Sequence, residues 1–146
     1  MNFLILQKKA EKLTSSKVKK DVWELIKTVE NELAQYNRSQ LYIDSKDVNK
    51  KDIGFYSTAT ELITKGKKKA NTPFNLFDKG DFLPSIFSKV QKESIFFGAT
   101  DKKLPKILKN LLTDDIFGLT EENLNKVINE RFLPLILNYF NNALLN

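Results

Sequence analysis

From Phe3 to Tyr36 the chain carries neither glycine nor proline, and from Val18 onward its apolar residues recur every three or four positions: Val18, Val22, Leu25, Ile26, Val29 and Leu33. That spacing puts all of them on one side of an α-helix, so the fold must be built around a long amphipathic element whose stripe is buried. The cluster Thr14, Ser15 and Ser16 is placed to split an N-terminal piece from the main helix, and Asp21 is assigned to its first turn or to a late cap. Trp23 lies beside the stripe, as a core-edge anchor or as a contact for another subunit.

A chain of 146 residues is a single domain, large enough to bury roughly 70% of the surface its unfolded form exposes. Its first 15 residues are read as an extension that orders on assembly. With 41% hydrophobic and 29% charged residues the composition is that of an ordinary globular protein. The sequence holds no Cys and no His. Disulfides, thiolate nucleophiles, thiolate or imidazole metal ligands and imidazole general bases are all excluded, and with them most hydrolase triads and zinc enzymes. The opening MNFLILQKKAEK is too short in apolar residues for a secretory leader, and no apolar run approaches the roughly 20 residues of a membrane span. The expected site of synthesis is a cytosol, with no membrane partner.

The formal charge is +6, and only Arg38 and Arg131 among the basic residues are arginine. Residues 1–72 carry 15 Lys and Arg against 9 Asp and Glu, whereas residues 73–146 carry 9 of each, so the excess belongs to the first half. Lysine clusters bind polyanions by counterion release, but specific readers of nucleic acid favour arginine for bidentate contacts. The run Lys65, Lys67, Lys68 and Lys69 is therefore read first as a solvated loop and second as a phosphate-facing patch.

Residues 37–71 read as loops around one short helix, Thr58 to Ile63, ended by Gly66. Phe82, Ile86, Phe87 and Val90, then Ile95, Phe96 and Phe97, flank the polar turn Gln91-Lys92-Glu93-Ser94 as two strands of a hairpin near 81–99, with Pro84 at the strand entry. Leu104, Ile107, Leu108, Leu111 and Leu112 mark a helix over 103–112 with Pro105 in its first turn. Thr120 is the expected N-cap of a last helix, favoured by Glu121 and Glu122 and kinked at Pro134. From Phe132 to Leu145 apolar residues nearly encircle the axis, which calls for burial in the core or between subunits.

No catalytic constellation stands out, and no enzymatic activity is expected. The pairs Asp78, Asp81 and Asp114, Asp115 have the residue types of acid/base or hard-metal sites. Yet Phe77-Asp78-Lys79-Gly80-Asp81-Phe82 has the composition of a turn in which Asp binds local N–H groups and Gly supplies positive φ before a strand. The glycines at 54, 66, 80, 98 and 118 are dispersed and form no phosphate-binding loop, so no cofactor is assigned.

The second half contains an ordered series: Asn75-Leu76-Phe77-Asp78-Lys79-Gly80-Asp81-Phe82, then Ser85-Ile86-Phe87, then Ala99-Thr100-Asp101-Lys102-Lys103, then Asp115-Ile116-Phe117-Gly118-Leu119-Thr120-Glu121-Glu122-Asn123. It resembles a family of small virion proteins of tailed bacteriophages, the tail-completion or head-to-tail joining proteins of phages and prophages of Bacteroides-type bacteria, including the crAss-like group. In that family a hydrophobic-Asp-Thr-Gly-Asp-Phe turn opens a strand, a Ser-Thr-Asp-Lys-like segment closes the hairpin, and a Phe-Gly-Leu-Thr segment opens the last helix. Trp23, Asn37 with Gln40-Leu41-Tyr42, and Tyr56-Ser57 with Thr60 and Lys65 extend the likeness to about residues 20–140. Lys79 stands where Thr is usual, Pro84 interrupts the strand start, and Ile43-Asp44-Ser45 replaces a glycine-rich turn.

The resemblance implies an α+β subunit, with helices at both ends of the chain packed on a small antiparallel sheet. It implies a homo-oligomeric ring in the neck or tail, assembled in the bacterial host cytoplasm with other neck, portal or tail proteins, with DNA passing through the lumen. It marks Leu76, Asp78, Gly80, Asp81, Phe82, Asp101, Phe117, Gly118, Leu119 and Thr120 as the turn and helix-entry motif. The alternative is a small nucleic-acid-binding regulator acting through Lys65, Lys67, Lys68 and Lys69.

Overall fold

A computed structural model describes residues 2–146 and shows an α+β fold, helices packed on a two-stranded antiparallel sheet. The long N-terminal element is broken where the Thr14 cluster predicts. Helix α1 (Phe3–Glu11) ends before Thr14, whose side-chain oxygen accepts Lys17 N–H at 3.2 Å and so caps α2 (Ser15–Lys27). A second, unexpected break follows at Thr28-Val29, where the Thr28 hydroxyl donates to the Leu25 carbonyl at 2.7 Å. That local bond competes with the helix ladder, and α3 (Glu30–Ser39) starts afresh. The stripe survives the break, with Ile26, Val29 and Leu33 all buried. Asp21 lies in the middle of α2, where it caps nothing; it is bound instead by Lys17 and by the Tyr139 hydroxyl.

Helical structure also runs further than the loop reading of residues 37–71 allows. A π-helical turn, Gln40–Asp44, prolongs α3 until Ser45 adopts a left-handed conformation, φ 53°. The reason is burial, because Leu41 continues the stripe of Val29 and Leu33 into the core. Helix α4 (Thr58–Ile63), capped by Ser57, is as expected, and Gly66 follows with φ 78°.

The hairpin is β1 (Ile86–Gln91) and β2 (Ser94–Ala99). Its first strand begins later than the apolar pattern predicts, because Phe82–Ser85 forms one helical turn, α5. Proline's fixed φ suits Pro84 to that turn, and the Ser85 hydroxyl closes it on the Phe82 carbonyl at 2.7 Å. Gln91 and Ser94 pair, so Lys92 and Glu93 alone make the loop, Lys92 with φ 53°. Gly98 sits under the rings of Phe87 and Phe96, and a Cβ there would lie 3.0 Å from the Phe96 ring.

Helix α6 (Leu104–Asn110) keeps Pro105 in its first turn but stops short of Leu112, whose N–H leaves the helix to bind the Ile53 carbonyl at 3.0 Å. Thr120 caps α7 (Glu121–Val127) by accepting Asn123 N–H at 3.2 Å. A π-helical turn, Ile128–Phe132, then leads into α8 (Leu133–Leu145). Pro134 has no N–H and crowds the preceding turn, and the wider π-turn takes up that misfit immediately before it.

Two clusters form the core. Ile26, Val29 and Leu33 meet Val90, Val127 and Phe132, which joins α2 and α3 to the hairpin and the C-terminal helices. Leu41, Ile53, Phe82, Leu83, Ile86 and Ile116 form the second around the loops. The inner face of β1 contributes to both, through Val90 and Ile86.

Candidate functional site

The segment from Phe74 to Phe82 and helix α6 enclose an open cleft of about 310 Å³, with Tyr56 and Lys68 at its border. Gly54 makes room for the Phe74 ring that lines it. It adopts φ 150°, and a Cβ there would stand 2.3 Å from the Phe74 ring, so only glycine lets that ring seat. Phe74 in turn packs edge-on against Tyr56, centroids 4.8 Å apart. The Tyr56 hydroxyl donates to Asn75 Oδ1 at 2.8 Å, and burial pushes its pKa above the ordinary phenol value. Asn75 Oδ1 also accepts Phe77 N–H at 3.0 Å, which shapes the turn together with Leu76 at φ 54° and Gly80 at φ 83°.

The motif's first half therefore lines one cavity: Leu76, Asp78, Asp81, Phe82 and Asp101 all face it. Gly80 makes its turn, under the Phe77 ring. The turn is not built as composition predicts, for neither Asp78 nor Asp81 binds a local N–H, and a helical turn rather than a strand follows. The aspartates that do bind local backbone are Asp101, accepting Lys103 N–H at 2.7 Å, and Asp47, accepting Asn49 and Lys51 N–H at 2.8 Å each. Among the described residues no three carboxylates converge to hold a metal ion.

Four lysines, Lys68, Lys79, Lys103 and Lys106, share the rim with those three aspartates. The charges nearly cancel, so the rim does not select a polyanion. An apolar floor of Phe74, Leu76, Phe82, Ile107 and Leu111 under a rim of both signs matches protein surface better than phosphate backbone. Of the lysine run, Lys68 turns toward the cleft, its Nζ 5.3 Å from the Tyr56 ring centroid. Lys65, Lys67 and Lys69 stay exposed on the loop after α4, and among the described residues none joins an ion pair.

The motif's second half lies elsewhere and does structural work. Asn37 Nδ2 donates to the Ile116 carbonyl at 2.9 Å and to that of Gly118 at 2.8 Å. Gln40 Oε1 accepts Thr120 N–H at 2.8 Å and Asn123 Nδ2 at 2.9 Å. Gly118, at φ 136°, holds a backbone conformation that other residues rarely adopt, and a Cβ there would stand 3.0 Å from Val48 Cγ1. Phe117 packs on the second core cluster and Leu119 on the first. Asp47 completes this clasp by accepting the Thr113 hydroxyl at 2.9 Å. Sequence reasoning assigned no such role to Asn37, Gln40 or Asp47. Part of the signal was there, because Asn37 falls in phase with Val29, Leu33 and Leu41, and a polar residue on a buried stripe needs partners.

One further surface is apolar and uncovered. None of the residues of α8 is buried, and the helix carries no charge, with Leu133, Leu137 and Leu145 exposed. Helix α1 packs against it and exposes Phe3, Leu4 and Ile5. Among the described residues no helix is long and apolar enough to cross a membrane. Comparison with known protein families, characterised proteins and solved structures finds no match.

Proposed function

We propose that this chain is a structural subunit of a phage neck or tail, a tail-completion or head-to-tail connector protein that acts by binding copies of itself and other virion proteins. The observation that carries the reading is the surface of α8 and α1. Leu137 is 62% exposed on α8, which carries no charge, and Phe3 is 75% exposed on α1, which packs against it. Such a surface is costly to leave in water and marks a face that another chain covers. A ring follows when that face meets a different face of the next copy, a heterologous contact repeated by rotation. The motif order of residues 75–123 supplies the phage context, and in the virion Lys65, Lys67 and Lys69 face DNA in the lumen.

The test is to image the purified protein and to locate it in the virion. Rings of identical subunits, and density for this chain between head and tail, are the expected results. A monomer at millimolar concentration, absent from virions, defeats the reading. The exposed, unpaired Lys65, Lys67 and Lys69 favour one competing reading, a nucleic-acid-binding regulator. A salt-dependent DNA shift abolished by charge reversal of Lys65, Lys67, Lys68 and Lys69, in a protein absent from particles, would establish it instead.

A further inference from the structure

The two edges of the hairpin are treated differently. Gln91 pairs with Ser94, Lys89 with Phe96 and Phe87 with Gly98, and Thr100 N–H donates to the Ser85 carbonyl at 3.2 Å. Odd-numbered residues of β1 thus exchange hydrogen bonds with even-numbered residues of β2. The even-numbered residues of β1 point the other way, toward α3, which binds two of their backbone groups. Glu30 accepts Val90 N–H at 2.5 Å, and Arg38 Nε donates to the Ile86 carbonyl at 3.2 Å.

By the same alternation Ile95, Phe97 and Ala99 direct their N–H and C=O groups away from β1. Among the described residues nothing binds them, and no third strand exists. An open edge is ordinarily blunted by lysine, proline or a bulge. Here Ser94 to Thr100 contains no charge and no proline, and the register runs without a bulge. On the outer face, Phe96 is 48% exposed beside Phe87, ring centroids 5.9 Å apart. An edge with these features is suited to receive an extended backbone.

The occupant that fits is a second copy of the chain. Although the chain carries a net charge of +6, residues 94–100 are neutral, so two copies meet along this edge with no like charges opposite one another. Its three outward residues are also self-complementary. With Phe97 opposite Phe97 of the partner subunit and Ile95 opposite Ala99 of the partner subunit, every outward N–H meets an outward C=O.

We infer that β2 is a self-pairing edge, joining two copies antiparallel about a two-fold axis at Phe97 into one continuous four-stranded sheet. This contact is isologous, so it is distinct from the heterologous contact that closes a ring and does not depend on the α8 face.

Amide hydrogen exchange of the whole chain, measured at micromolar and at millimolar concentration alongside its mass in solution, tests the inference. The amides of Ile95, Phe97 and Ala99 are expected to slow at least about tenfold at the higher concentration, while those of the β1–β2 ladder do not change. Ala99→Pro deletes one outward donor without touching the ladder, and Phe96→Lys brings positive charge to both sides of the junction. Each should weaken the dimer at least about tenfold with the ladder amides still protected. Leu137→Lys, on α8, should leave the effect intact, which separates this contact from the ring. Equal exchange at both concentrations overturns the inference, as does protection that survives in Ala99→Pro and Phe96→Lys.

Discussion

The side-chain oxygen of Gln40 accepts the backbone N–H of Thr120 at 2.8 Å, linking residues 80 positions apart inside the core. Thr120 already caps α7 with its own hydroxyl, so Gln40 holds the start of the last helical element against the end of α3. Gln40→Ala leaves Thr120 N–H and the Asn123 amide without their acceptor in a buried site. Unfolding free energy should fall by about 2 kcal/mol, read as a lower urea midpoint at unchanged slope. An unchanged midpoint would show that the clasp is not a source of stability.

Gly54→Ala tests the seating of Phe74. The substitution combines an unfavourable φ with a Cβ about one bond length too close to the ring, and should cost more than about 2 kcal/mol. Removing the ring relieves the overlap, so the double variant with Phe74→Ala should lose less than the two single losses added together. Additive losses in denaturant titrations would place the cost in the backbone alone.

Leu137→Lys separates folding from assembly. Leu137 is mostly exposed, and the change should alter stability by no more than about 0.5 kcal/mol while abolishing higher-order association through α8. Light scattering together with thermal unfolding reads both effects. An assembly of unchanged mass would remove α8 from the ring contact.

The tie between α2 and α8 should be sensitive to acid. Asp21 is held below the usual carboxyl value of 3.8, first by its bond to Lys17 and then by the Tyr139 hydroxyl at 2.7 Å. A depressed carboxyl stabilises the fold fully above its unfolded pKa, and that contribution disappears as pH falls through the lower folded value. Tyr139→Phe should therefore be less stable than the parent at pH 6, and the gap should close toward pH 3 as Asp21 protonates. Urea midpoints at both pH values give the comparison, and a gap of equal size at each would assign the loss to packing.

What could be read locally was read from periodicity and caps. The stripe from Val18 to Leu33, the Thr14 break, the α4 turn, Pro105 and the Thr120 cap each depend on residues within a turn or two of one another, so their signal is in the order of the chain. The same logic misjudged Phe82–Ser85. Apolar spacing there is ambiguous over four residues, and Pro84 decides for a helical turn once β1 has been anchored by Arg38.

Other features had no local signal. The cleft needs Tyr56 and Lys68 to meet α6, and the clasp needs Asn37 and Gln40 to find carbonyl and N–H groups about 80 residues away. Whether α8 would be buried was equally open, because its composition shows that it needs cover without naming the chain that provides it. The sequence by itself determined α4, α6, the Thr120 cap of α7 and the hairpin turn, since these follow from steric and hydrogen-bonding preferences of neighbouring residues. Tertiary structure alone decided which polar groups are paired, which motif residues share a cavity and which sheet edge stays open, since each is a choice between partners distant along the chain.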